Sequence, residues 1–184
     1  QIAKKAMLVN ISDAIAMNAK PKYALLSVAI PKEYSKKDIK KLADGFLEVA
    51  KKYNIEIIGG DTISNIKLDI SITIISKTKK AKLRSGIKKD DLMCYTGDLG
   101  TSKRDLKTLL MGGKIPRKSK FIEPKLNADF FFKASKYINA SMDISDGLGF
   151  ELERLSKQSN IAFKFFYDIP KDIYCSGEEY ELLF

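Results

Sequence analysis

The stretch Asp143 Ile144 Ser145 Asp146 Gly147 Leu148 follows a short run of strand character, Ala140 to Met142, and precedes a helical pattern with Leu148, Leu152 and Leu155 on one face. A strand therefore hands over to a helix at an acidic turn. Two Asp separated by Ile and Ser can face one pocket, and their hard oxygens suit Mg²⁺, which takes a few carboxylates together with phosphate oxygens. Gly147 lets the backbone come close to a ligand. The same residues also fit a plain helix start, with Asp146 as an N-cap accepting from the first helical N–H groups. At this turn both readings stay open.

Working outward, the 184 residues are 45% hydrophobic, enough for one ordinary globular domain or two small ones. The formal charge of +10 is spread along the chain as scattered lysines, which reads as a solvated face rather than a nucleic-acid or membrane surface. Cys94 and Cys175 lie far apart, match neither a redox pair nor a zinc spacing, and are expected to be reduced thiols of a cytoplasmic protein. No apolar run approaches the roughly 18 residues of a membrane span. The chain starts at Gln1 without an initiator Met and stops at Phe184 inside an apolar run, and is read as a piece of a longer protein. There is no histidine, which removes a Ser/His/Asp triad, a His-ligated zinc and a His general base. Catalysis is left to carboxylates, cations, hydroxyls and metal.

In chain order, residues 3 to 18 predict a helix with Ala3, Met7, Asn10, Ala14 and Met17 along one face. Asn10 and Asp13, three apart, turn toward nearly the same side. Tyr23 to Ile30 predicts a strand buried on both faces. Ser35 to Lys52 predicts a helix, with Ser35 and Asp38 as a capping box and Ile39, Leu42, Ala43, Phe46, Val49 and Ala50 as its buried stripe. A strand at Ile55 to Ile58 then opens into Gly59 Gly60 Asp61 Thr62, which reads either as a hairpin turn or as a phosphate loop whose Asp61 holds the phosphate's magnesium. Leu68 to Ile75 alternates as a half-buried strand does. Arg84, beside Ser85 and Gly86, is a surface residue at a turn or a bidentate phosphate ligand. Strands are expected at Asp91 to Thr96 and Ile161 to Phe166, and helices from Gly100 through Met111 and over 128 to 138.

Taken together, five stretches resemble one family. They are Val9 Asn10 Ile11 Ser12 Asp13, Ile58 Gly59 Gly60 Asp61 Thr62, Arg84 Ser85 Gly86, Met142 through Leu148, and Ser176 Gly177 Glu178 Glu179 Tyr180 Glu181 Leu182 Leu183 Phe184. In this order they resemble the thiamine-monophosphate kinases of the aminoimidazole-ribonucleotide-synthetase-like (PurM-like) ATP-binding superfamily. The resemblance implies an α+β, two-domain fold of mixed sheets flanked by helices, here a partial chain. Residues 1–83 would form an N-terminal domain incomplete at its start, and 84–184 a C-terminal domain incomplete at its end.

By the same resemblance, Asp13, Asp61, Asp143 and Asp146 would hold Mg²⁺, Gly60, Asp61, Arg84 and Ser145 would contact ATP, and Glu178 would meet thiamine monophosphate. The implied reaction moves the γ-phosphoryl group of ATP directly onto thiamine monophosphate, with no phosphoenzyme and no catalytic general base, in a cytoplasmic homodimer without nucleic-acid or membrane partners. The missing histidine fits, because a phosphate monoester with a second pKa of about 6 attacks already ionised. Ser176 departs from the glycine usual in the final motif, the connection from Pro170 is short, and the family's upstream acidic segment and downstream residues lie outside this sequence. An inactive nucleotide-binding relative, or another ATP-dependent enzyme of the superfamily, is the alternative.

Overall fold

The computed structural model describes residues 1–184. Helix α1 (Ile2–Ala16) leads into strand β1 (Lys20–Pro31), helix α2 (Lys36–Tyr53), strand β2 (Glu56–Asn65) and strand β3 (Asp69–Lys77). The strands form one sheet in the order β2-β1-β3, β1 running parallel to β2 and antiparallel to β3. Helix α2 is thus the crossover that a parallel pair requires. Its start is legible in the sequence: the Ser35 hydroxyl accepts from the Asp38 N–H at 3.2 Å, and Asp38 reaches back to Ser35. It ends on Asn54 in the left-handed conformation.

The sheet is one-sided. Ala24 and Val28 of β1 face α1 and α2, where Met7, Leu8, Ile11, Ile15, Phe46 and Val49 close the core. On the other face Tyr23 is paired with Ile75 and Ala29 with Ile63, and Tyr23, Leu25, Ile63 and Ile75 are all exposed. The expectation that Tyr23 to Ile30 is buried on both faces is therefore corrected. In α2, likewise, Ile39 and Ala43 are exposed and Gly45 replaces Ala43 against α1, where a Cβ would come within 3.0 Å of the Ala3 side chain.

The Gly59 Gly60 Asp61 Thr62 stretch is neither turn nor loop but the middle of β2. The β1–β2 register shifts between Ala24 and Leu25, and at that irregularity Gly60 adopts φ 144°. A Cβ there would stand 1.8 Å from the Leu26 carbonyl oxygen, so glycine is required by the approach of β1 rather than by a reversal of the chain.

The second half is looser. After a 3-10 turn at Arg84–Gly86 come helix α3 (Thr101–Leu110), helix α4 (Ala128–Ala134) with a 3-10 turn at Ser135–Tyr137, strand β4 (Met142–Asp143), helix α5 (Leu148–Ser159), helix α6 (Lys171–Tyr174) and strand β5 (Leu182–Leu183). Strands β4 and β5 pair antiparallel. The expected strand at Asp91 to Thr96 is reduced to a bridge between Tyr95 and Leu183, although Cys94 exchanges both backbone bonds with Phe184. The expected strand at Ile161 to Phe166 is absent. Phe165 and Phe166 are exposed there, so alternation found no neighbouring strand to complete it.

Leu99, Met142, Ile144, Leu148, Leu152, Leu155 and Leu183 form a separate small core, while Phe131, Ile138 and Leu182 join the core of the first half. No helix is long and apolar enough to cross a membrane. Because Phe131 is fully buried in that shared core, Phe131→Ala is expected to lower the unfolding free energy by about 3–5 kcal/mol in urea titration. A loss below about 1 kcal/mol, within the range of surface substitutions, would show that the two halves do not depend on that contact.

Candidate active site

Asp13 lies on α1 and Asp143 at the end of β4, 130 positions later, yet the two carboxyl groups stand close enough to act on each other. The fully buried Ser12 donates its hydroxyl to Asp143 Oδ2 at 2.8 Å and so fixes the carboxylate's orientation. Asp143 is only 4% exposed. Burial, and next the neighbouring Asp13 charge, push its carboxyl up from the usual 3.8 to about 6, against the Ser12 bond. Asp13 is also raised, by burial first, although its outer edge is open to solvent and the Arg84 charge works in the opposite direction. Two like charges at one spot thus call for a cation.

Asp146 behaves differently. Helix α5 starts from Gly147 at φ 117° with no side-chain cap, so the N-cap reading of Asp146 is not what the fold uses. Its carboxylate instead meets Arg154 Nη2 at 2.7 Å, and Arg154 Nη1 donates to Glu151 Oε2 at 2.8 Å. Glu151 is fully buried, and its other oxygen accepts the Asp146 N–H at 3.0 Å and the Ser145 hydroxyl at 3.3 Å. A charged side chain on the apolar stripe of α5, three residues after Leu148, was the sequence signal for this support. The buried carboxylate holds the turn in place of a cap.

The final motif folds over the same site. Glu178 donates its N–H to the Ser145 carbonyl at 2.7 Å and Tyr180 donates its N–H to the Ile144 carbonyl at 2.8 Å. Both residues have positive φ, 58° and 52°, which costs a non-glycine residue free energy and occurs where surroundings enforce it. The enforcing group is Glu179, buried and pointing the other way. Its Oε1 accepts from the Gly100 N–H at 2.8 Å and the Ser102 N–H at 3.2 Å, at the start of α3, and from the Ser176 hydroxyl. Its Oε2 has no hydrogen bond of good geometry but is balanced by the Lys120 ammonium at 2.6 Å. Glu181 accepts from Thr96 and Asn127 beneath it. Tyr180 donates its hydroxyl to Glu178 at 3.1 Å, and burial together with Glu178, Asp143 and Asp13 holds its phenol well above the usual range.

Arg84 stands within electrostatic reach of Asp13, its backbone carbonyl tied to the Ser159 hydroxyl at 2.7 Å. Gly60 and Asp61 are elsewhere. Asp61 pairs in register with Ser27 on the outer face of the sheet, accepts only from the Thr62 N–H at 2.8 Å, and makes no ion pair. One chain therefore assembles Asp13, Asp143, Ser145 and Glu178, sets Asp146 and Arg84 at the margins, and leaves Gly60 and Asp61 behind the sheet. No group of three or more carboxylate, thiol or imidazole side chains is gathered around one point. The Asp13–Asp143 pair nonetheless fits Mg²⁺, which is commonly held by one or two carboxylates and completed by waters and substrate phosphates.

The pair also has a pH consequence. A carboxyl whose folded value lies above its unfolded one keeps the folded state better protonated between 3.8 and about 6, so stability falls as pH rises through that window. Metal-free protein is expected to lose on the order of 3 kcal/mol of stability between pH 3.8 and pH 7 from this group. Asp143→Asn should flatten that part of the profile in denaturant titrations. An unchanged slope in the variant would mean that Asp143 is not the group responsible.

Comparison with known proteins gives a consistent picture. Residues 1–78 match the family of the AIR synthase related protein, N-terminal domain. The chain is 33% identical over 200 residues to the thiamine-monophosphate kinase of Pyrococcus horikoshii, and 35% identical over 177 residues to that of Bacillus subtilis. It covers 65% and 54% of those relatives, so it spans less than two thirds of their length. With the Leptospira interrogans thiamine-monophosphate kinase it is 32% identical over all of this chain and 67% of the relative. Among solved structures, AaThiL complexed with AMPPCP and TMP superposes with a TM-score of 0.86 at 28% identity, covering 99% of this chain and 67% of that one. Thiamine monophosphate kinase from Aquifex aeolicus gives 0.87 at 27%, covering 99% and 70%. With its paired carboxylates, its acidic turn and its final motif in place on this fold, the chain belongs to the thiamine-monophosphate kinase family.

Proposed function

We propose that the chain forms the larger part of an ATP- and magnesium-dependent kinase that transfers the γ-phosphoryl group of ATP onto thiamine monophosphate, yielding thiamine diphosphate and ADP. This is the last step of thiamine diphosphate formation. The observation that carries the reading is the apposition of Asp13 and Asp143, two carboxylates brought from opposite ends of the chain into a spot that resists their charge. The relatives' names, and the solved complex with AMPPCP and TMP, support the choice of substrates.

Each residue then has a task. Asp13 and Asp143, with Asp146 beside them, would hold Mg²⁺, and Asp61 would hold a further ion at the outer sheet face. When bound, Mg²⁺ neutralises the triphosphate and the acceptor phosphate so that the two can approach in line. Ser12 keeps Asp143 aimed, Arg84 would offer its guanidinium to phosphate, and Ser145 and Gly60 would contact ATP. Glu178 takes the organic part of the acceptor. No proton need be removed, since the attacking phosphate is ionised near neutral pH.

The exposed apolar face of the sheet, with Tyr23, Leu25, Ile63 and Ile75 around Asp61, supports a homodimer joined through this surface. Such a dimer would place Asp61 near a second copy. A cytoplasmic location and the division of the chain near residues 83 and 84 belong to the same reading. Hydrogenase maturation protein HypE, solved in complex with ATP, shares the fold at 14% identity, which keeps other ATP-dependent chemistry and an inactive relative as the second reading.

Full-length protein given ATP, Mg²⁺ and thiamine monophosphate is expected to form thiamine diphosphate. Asp143→Asn should lower turnover by about a hundredfold or more, as expected where charge neutralisation governs the barrier. ATP consumption without thiamine diphosphate would transfer the protein to the second reading. In sedimentation velocity, Ile63→Lys is expected to shift a dimer toward monomer, and a monomeric parent protein would remove the sheet face from the proposal.

A further inference from the structure

Glu178 is held from two sides, by a tyrosine of its own motif and by a lysine of α1. Its Oε1 accepts from Tyr180, and its Oε2 meets the Lys5 ammonium at 2.6 Å. Lys5 belongs to α1, the helix that carries Asp13, and is itself seated over the Phe121 ring, 4.1 Å from the centroid. A cation on an aromatic face loses mobility and gains attraction to the ring. The Lys5 side chain is 23% exposed and that of Glu178 is 45% exposed, so the pair is part-buried with the glutamate the more accessible partner. Glu178 also keeps its left-handed backbone, a conformation that aims its carboxylate away from the buried Glu179 and toward α1.

We propose that Lys5 is a positioning residue for the phosphoryl acceptor: anchored on Phe121, it fixes the Glu178 carboxylate in the orientation that receives the organic part of thiamine monophosphate. The proposal rests on the kinase reading and extends it. Helix α1 then acts as a ruler. Asp13 marks the phosphate end, and Lys5, eight residues earlier, stands about 12 Å along the axis, at the rise of 1.5 Å per residue. One rigid element thereby sets the distance between the reacting phosphate and the grip on the rest of the acceptor. Carboxylate lone pairs left free by Tyr180 and Lys5 remain available to N–H donors of a heteroaromatic amine.

The test uses full-length protein with Lys5→Met, Lys5→Arg, Glu178→Gln and the Lys5→Met/Glu178→Gln double variant. Thiamine monophosphate binding is measured by calorimetry in the presence of AMPPCP and Mg²⁺, and turnover is measured alongside. Lys5→Met is expected to raise the Kd and KM for thiamine monophosphate about tenfold, the scale of one charged hydrogen bond. KM for ATP and kcat should stay within about twofold, Lys5→Arg should recover most of the loss, and the double variant should be no worse than Glu178→Gln. Unchanged acceptor binding in Lys5→Met, an equal fall in every parameter, or fully multiplicative losses in the double variant would each overturn the positioning role while leaving the kinase reading intact. A parent protein that binds AMPPCP but no thiamine monophosphate would overturn both.

Discussion

The structure turns on a repulsion it has been built to tolerate. Asp13 and Asp143 are driven together by the packing of α1 against β4, and neither has a side-chain cation bonded to it. Folded proteins pair or hydrate such groups unless a ligand is to do so. Ser12 shows that the arrangement is supported rather than accidental, because a buried hydroxyl is spent on aiming one of the two carboxylates. Their acidic neighbours in the turn and the final motif are compensated: Asp146 by Arg154, Glu179 by Lys120 and a helix start, Glu178 by Lys5. The uncompensated pair stands out against that background.

A second layer keeps the pair and its surroundings in register. Glu151 inside α5 ties down the acidic turn from below, and Glu179 ties the final motif to α3. Each replaces a cap or glycine that a simpler loop would use, and each is a carboxylate whose charge is satisfied locally. The half-buried Glu178 and the buried Glu179 are adjacent in sequence but point in different directions. That division accompanies the backbone: the left-handed residues Glu178 and Tyr180 flank Glu179, whose side chain turns into the protein toward α3.

Much of this was legible where local chemistry determines local structure. The Ser35–Asp38 box marked the start of α2, and the alternation of Leu68 to Ile75 marked β3. The five motif stretches named the family. Legibility failed where one residue type serves two purposes. Gly59 and Gly60 looked like punctuation because glycine usually turns a chain, but here glycine lets two parallel strands approach at a bulge. Strand character at 91–96 and 161–166 did not become strands, since that outcome depends on partners remote in sequence. Lys5 was invisible as a functional residue: a lysine in a lysine-rich chain carries no signal until Glu178, more than 170 positions away, is placed beside it. Asp61 was read as a turn residue or a holder of the phosphate's magnesium, and its position on the outer face of the sheet depends on the register of β2 on β1, which local sequence does not carry.

The placement of β4 against both α1 and β5 bears on how the protein comes to life. The contacts that bring the two halves together at the site join segments far apart in the chain: Ser12 to Asp143, Lys5 to Glu178, Gly100 to Glu179. Helices α1 and α2 and the three-stranded sheet can gather around their own core beforehand, but loop closures of this length are slow relative to local ones. During synthesis Asp13 therefore stays solvated and unopposed until β4 has come to lie against α1, and the site closes only when the final motif has joined β4.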